Sequence, residues 1–290
     1  MIRLLRFCFR PLVLLLALAG GAYWWWQPDV RAWLPDLSQS PEYRLRVADI
    51  QVTPPPQWVP PDLVTQVVHR ANLPEELCVL DAHVARDVGE AFALHPWVEQ
   101  VVAVRKSVPA RIEVELRYRA PVAMVQMAQG MYPIDARGVL LPPADFRVVD
   151  TKNYPEILNI RSSPGPAGMP WGDSAVQGAA ELAAALLPWW KSLDIKSIAY
   201  EASTTGATSD DMFVLLTARG SRILWGRAPS TDHPGELSVE QKIGRMREYV
   251  TRFGGFDRPN GPYEFDIRHW REISRRPLTA RHAPQSVIRR

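Results

Sequence analysis

Six histidines, two cysteines and 31 carboxylates are the groups from which this 290-residue chain could build acid–base, nucleophilic or metal chemistry. The histidines stand apart at 69, 83, 95, 233, 269 and 282, and with Cys78 alone near any of them no metal-ligand spacing appears. The acidic pairs Glu75-Glu76 and Asp210-Asp211 fall in loop-like sequence and read as solvated charge. The chain contains no G-x-G-x-x-G, no Walker loop, no G-x-S-x-G and no H-E-x-x-H. A wall-degrading enzyme would need a paired acid and base or a metal centre, and no residues nominate one. The expectation is a chain with no catalytic, cofactor or metal site and no small-molecule substrate.

If there is no chemistry to position, the elements must position a binding surface. The first of them reads as a membrane anchor. Arg3, Arg6 and Arg10 precede a run from Pro11 to Trp26 without a charge. The stretch from Phe7 to Trp26 would span a hydrocarbon core of roughly 30 Å at about 1.5 Å per residue. Arg10 would reach back to the phosphates, Leu14 and Leu16 would lie in lipid, and Trp24, Trp25 and Trp26 would sit at the opposite interface. Basic residues on the short N-terminal side place that side in the cytoplasm and the body outside the inner membrane. The rival is a cleaved signal peptide with Ala17-Leu18-Ala19 as its small-residue site.

The formal charge of +3 comes from the ends. Residues 1–10 carry three arginines, residues 275–290 carry five, and neither end has an acid. The body between them therefore holds 26 basic groups against all 31 acidic ones. So mildly acidic a body gives no support for nucleic-acid binding, which needs a basic face. Cys8 lies at the membrane boundary and Cys78 in the exported body, so no disulfide framework is expected.

Residues 27–42 read as a proline-rich tether. In 43–119, Tyr43, Leu45 and Val47 alternate with polar residues, then shift parity to Ile50 and Val52 like a bulged strand. Leu63, Val64, Val67, Val68 and Ala71 recur at helical spacing behind Pro60-Pro61-Asp62, with Asn72 as the stop. A second helix opens at Asp81 as N-cap and closes at Pro96. Strands Val98–Arg105 and Arg111–Tyr118 follow, joined by Ser107-Val108-Pro109-Ala110. The order is β-α-α-β-β. Residues 120–275 read as a mixed β domain: strands at Val122–Met127, Met131–Ile134, Val139–Leu141 and Arg147–Val149, a helix at 174–187, and strands at Ile195–Tyr200, Met212–Thr217 and Arg222–Leu224. A capped helix opens at Ser238-Val239-Glu240-Gln241 and stops at Gly254-Gly255. Tyr263, Phe265 and Ile267 alternate with charges in a last strand, and residues 276–290 read as a disordered basic tail. The fold class is α+β behind an N-terminal transmembrane helix.

The run from Leu80-Asp81 to His95-Pro96-Trp97-Val98, with Val102-Ala103-Val104-Arg105-Lys106 and Pro109-Ala110-Arg111-Ile112-Glu113-Val114, resembles a POTRA domain. Continuing into Arg119-Ala120-Pro121-Val122-Ala123, it resembles the FtsQ/DivIB family of bacterial division proteins, although Tyr118 stands where the family usually has an acid. Tyr132–Gly138, Leu224-Trp225-Gly226, Gln241-Lys242-Ile243 and Tyr263-Glu264-Phe265-Asp266-Ile267-Arg268 match further landmarks in order, so the resemblance covers about residues 1–275.

The resemblance implies a non-catalytic scaffold of the septum-forming machinery in the inner membrane, at the division site. It implies partners similar to FtsB, held with FtsL, that add a β-strand to a C-terminal edge strand. The matching positions run from Phe265 to Ile273, including Ile267, with Arg268, His269 and Trp270 as contacts; family members often have tyrosine at the place of His269. An alternative is a POTRA-type binding module of another envelope assembly or secretion process.

Overall fold

A computed structural model describes residues 15–23, 36–202, 211–231 and 235–278. Arg10, Leu14, Trp24, Trp25 and Trp26 lie outside the described residues. Residues 15–23 form a helix, α1, on which Leu16 is exposed. Among the described residues, no helix is long and apolar enough to cross a membrane. The architecture is α+β, built on two hydrophobic cores.

The first core is covered by β1 (Arg44–Arg46), β2 (Gln51–Val52), α2 (Leu63–Ala71), β3 (Glu76–Cys78), α3 (Val84–Ala93), β4 (Val98–Ser107) and β5 (Arg111–Tyr118). Strand β5 lies in the middle of a three-stranded sheet, parallel to β2 and antiparallel to β4. Its Ile112, Val114 and Leu116 face Leu63 and Val67 of α2 and Val88 and Phe92 of α3, all buried. The alternation and the 3.6-residue period read from the sequence both survive here.

Two expectations fail locally. The anticipated bulged strand over 43–52 is two strands in different sheets, parted by a 3₁₀ turn at Val47–Asp49; β1 pairs with β3 instead. Val47 and Ile50 are both buried. An extended chain would send residues three apart to opposite faces, whereas a turn brings both to one core. The second helix starts at Val84, not beside Asp81. The Asp81 carboxylate instead accepts the His83 amide at 2.9 Å, closing a local turn that delays the helix.

The second core sits under an eight-stranded sheet of order β13-β12-β11-β10-β9-β8-β6-β7. Its strands are β6 (Pro121–Met127), β7 (Gly130–Asp135), β8 (Glu156–Leu158), β9 (Ile195–Ala202), β10 (Asp211–Thr217), β11 (Arg222–Gly226), β12 (Tyr263–Asp266) and β13 (Ser274–Pro277). Three helices accompany them: α4 (Val148–Thr151), α5 (Ser174–Leu186) and α6 (Val239–Phe253). The strand anticipated at 147–149 is replaced by the single turn of α4. Residues 139–141 make only isolated bridges, Ile134 to Leu140 and Val139 to Pro170.

Helix α5 is rich in alanine because it lies close to the sheet. A Cβ on Gly178 would come within 2.8 Å of Phe213 Cζ. Helix α6 begins with the reciprocal cap read from the sequence: Ser238 Oγ accepts the Gln241 amide, and Gln241 Oε1 accepts the Ser238 amide. Gly254 ends it in the left-handed conformation, φ +78°.

The two cores touch. Trp97 is wholly buried in the first, and its indole N–H donates to Asp145 of the second half at 2.7 Å. Leu141 belongs to the first core although it follows β7. Arg119 and Asp135 form a mostly buried pair across the junction at 2.7 Å.

Candidate functional site

The strand anticipated over Phe265–Ile273 is a hairpin. Strand β12 stops at Asp266, residues 267–273 turn, and β13 returns antiparallel to it. Strand β12 is therefore not the edge. It is bonded on one side to β11, in parallel, and on the other to β13. The unpaired rim passes to Ser274–Pro277, partly inside the stretch read as a disordered tail, and no strand lies beyond it among the described residues.

The six residues read as contacts divide accordingly. Phe265 and Ile267 are fully buried in the second core, Phe265 stacked edge-on against Tyr249 and Phe256. Their side chains belong to that core. Arg268 is turned back on Asp266, with Nε to Oδ1 at 2.9 Å and Nη2 to Oδ2 at 2.6 Å. This fork holds the Asp266 carboxyl below its ordinary range and raises the guanidinium. His269 and Trp270 stand exposed on the turn, and the Arg271 guanidinium lies 4.9 Å from the Trp270 ring centre. Ile273 packs against the edge of the core.

The turn is tied to α6 through Arg245, which donates to the carbonyls of His269 and Trp270. Between α6 and the hairpin lies a groove of about 540 Å³, lined by Arg245, Glu248, Tyr249, Arg252, Phe253 and Ile273 among others. Helix α6 carries Arg245, Arg247 and Arg252. Two of the three line this groove, while Arg247 stacks 3.6 Å above the Trp189 ring on another side of the helix.

Deeper in, Leu224-Trp225-Gly226 and Gln241-Lys242-Ile243 meet. Lys242 is buried, donating to Glu236 Oε1 at 2.6 Å and to the Trp225 carbonyl at 2.9 Å, its ammonium 4.8 Å from the Trp225 ring centre. Burial lowers the Lys242 pKa, and the Glu236 carboxylate opposes that shift. Gly226 has φ +102°, and a Cβ there would lie 2.6 Å from Glu236 Oε1. The glycine is what lets the carboxylate reach the amine.

The remaining candidates for chemistry stay separate. His95 is buried, its Nδ1 accepting the Trp97 amide at 3.3 Å and its Nε2 3.2 Å from Gln66 Oε1; burial pushes its pKa down to about 4. Glu76 pairs with Arg44 at 2.8 Å, and Cys78 is half-buried and free. His233, His282, Asp210 and Cys8 lie outside the described residues. Among those described, no group of three or more His, Cys, Asp or Glu side chains could hold a metal ion.

What sequence reasoning missed is β13 itself. Ser274-Arg275-Arg276-Pro277 has no apolar alternation, and its residues from Arg275 onward are exposed. The available signal was Ile273 just before it, an apolar residue in a polar stretch that needed somewhere to pack. No family model matches the chain, and a search of curated proteins returns no match to it.

Proposed function

We propose that the chain is a non-catalytic scaffold of the bacterial division machinery, anchored in the inner membrane by its N-terminal segment and docking other division proteins through its exported body. The POTRA reading of residues 43–119 is supported by two helices packed on the sheet of β2, β5 and β4, whose central strand is parallel to one neighbour and antiparallel to the other, although β3 stands between the helices where the anticipated β-α-α-β-β order has no strand. The FtsQ/DivIB resemblance is supported by two of its landmark phrases converging on one buried lysine.

The observation that carries the docking role is the rim of β13, beyond which no strand lies among the described residues, at the end of an eight-stranded sheet. An edge strand presents unused N–H and C=O groups to which an extended segment of another chain can add. The groove beside it, bounded by α6, would accept side chains of that segment. A partner of the FtsB kind, held with FtsL, is the expected occupant.

A fluorescent fusion of the full chain tests the reading. It is expected to gather at midcell in constricting cells, and depletion is expected to leave filaments without septa. A fusion spread evenly round the envelope in cells that still divide would overturn it.

A further inference from the structure

The register of the last hairpin fixes which groups of β13 look outward. Residues 262 and 278 stand opposite each other by continuation of the β12–β13 register, and the Leu278 amide donates to the Pro262 carbonyl at 3.1 Å. Opposed pairs in an antiparallel ladder alternate between bonded and unbonded. Ser274 and Arg276 therefore spend their main-chain groups on β12, while Arg275 and Pro277 turn theirs to the rim. Pro277 has no N–H, so the rim offers a donor and an acceptor at Arg275 and an acceptor alone at Pro277.

Side chains on the two faces differ. Arg275 lies on the α6 side, its guanidinium 4.9 Å from the Tyr263 ring centre and Nη1 3.5 Å from the Tyr249 hydroxyl. Arg276 lies on the other side, where charges alternate across β11, β12 and β13. Glu201 meets Arg222 at 2.7 Å, Arg222 meets Glu264 at 3.6 Å, and Glu264 stands directly across from Arg276. The row ends at Arg276, an exposed cation on the outermost strand. The next place in the alternation belongs to whatever pairs with β13. A second copy of this chain would bring two more arginines to the same rim, and like charges oppose cross-strand pairing.

We propose that the segment added to β13 is an acidic stretch of a different chain, with a Glu or Asp across from Arg276 and a register set by the N–H and C=O of Arg275. This rests on β13 being the docking edge, and the test separates the two claims. Three labelled heptapeptides alternating Thr with Glu, Gln or Lys are titrated against the full chain in non-ionic detergent by fluorescence anisotropy.

The Glu peptide is expected to bind roughly tenfold more tightly than the Lys peptide at low ionic strength, with the gap shrinking near 0.5 M salt. Arg276→Gln is expected to level the three peptides. Arg275→Pro is expected to abolish all binding, with thermal unfolding shifted no further than in Arg275→Ala, because β12 does not use that N–H. Equal binding of all three peptides, lost in Arg275→Pro, would overturn the acidic partner and leave the docking edge standing. Binding indifferent to Arg275→Pro, or no binding by any peptide, would overturn both.

Discussion

Lys242 and Glu236 should respond unequally to loss of the other. The Lys242 side chain is 3 % exposed and Glu236 is 17 % exposed, and they meet at 2.6 Å. Glu236→Gln leaves a buried ammonium with the Trp225 carbonyl and the indole face as its remaining support. Breaking a buried pair in this way costs about 3 kcal/mol. Lys242→Met leaves a carboxylate that still has some water and has Arg227 at 3.7 Å. The methionine also replaces the lysine stem against Trp225, so the cost is about 1 kcal/mol. Denaturant unfolding of the full chain in non-ionic detergent, followed by tryptophan fluorescence, measures both. The pH dependence carries a second sign. Burial already places the folded-state pKa of Lys242 below its ordinary 10.5. The unfolded chain therefore binds more protons in the window just under 10.5, and stability rises with pH there. Removing Glu236 widens that window downward, so the Glu236→Gln deficit should shrink between pH 7 and pH 10. A Glu236→Gln protein no less stable than Lys242→Met, or one whose deficit is flat over that range, would refute the account.

His95 carries an acid-side counterpart. Its folded pKa of about 4 lies below the ordinary 6.5, so its contribution is whole above pH 6.5 and is lost as pH falls toward 4. The loss is at most about 3 kcal/mol, read by unfolding at stepped pH, and a His95→Gln protein should lack this slope. Arg268→Glu would set a carboxylate beside Asp266, whose side chain is 14 % exposed. It should destabilise the hairpin by about 2 kcal/mol, seen as faster amide exchange in β12 and β13. Gly178→Ala should cost about 2 kcal/mol by calorimetry, since its Cβ would fall 2.8 Å from both Phe213 Cζ and Ala228 Cβ.

Some of this molecule could be read from residue order because local rule and tertiary demand agree. The alternation of Ile112, Val114 and Leu116 gave β5, and the Ser238/Gln241 cap gave the start of α6. Failures came where a distant partner decided. Val47 and Ile50 turn because the core needs both, and β1 pairs with β3, a short strand with no periodicity of its own. The edge strand was misplaced for a related reason. The strong apolar alternation of Tyr263, Phe265 and Ile267 marks the burial of one face, and says nothing about which strands bond to either side. The edge strand is the one whose composition is mostly polar, and polar composition alone cannot be told from a solvated tail. His269 and Trp270, named from the family resemblance, stand exposed just past the end of that alternation.

The other sheet rims explain why β13 is the one singled out. Strand β2 pairs through only two residues. Strand β4 is ten residues long, but its pairing with β5 shifts register twice, between Val98 and Gln100 and between Val101 and Ala103, and its far end carries Arg105 and Lys106. Bulges and charges of that kind twist an edge away from a flat partner. Strand β7 has residues 139–141 laid along it, with the Leu141 amide donating to the Pro133 carbonyl at 2.9 Å. Each of these rims is short, bent or covered. β13 is protected differently: Pro277 removes one outward donor, and Arg275 and Arg276 repel a like strand. Those devices leave the Arg275 donor and acceptor in place. They restrict what can pair there without closing the edge, which is the arrangement a docking strand requires and a merely protected one does not.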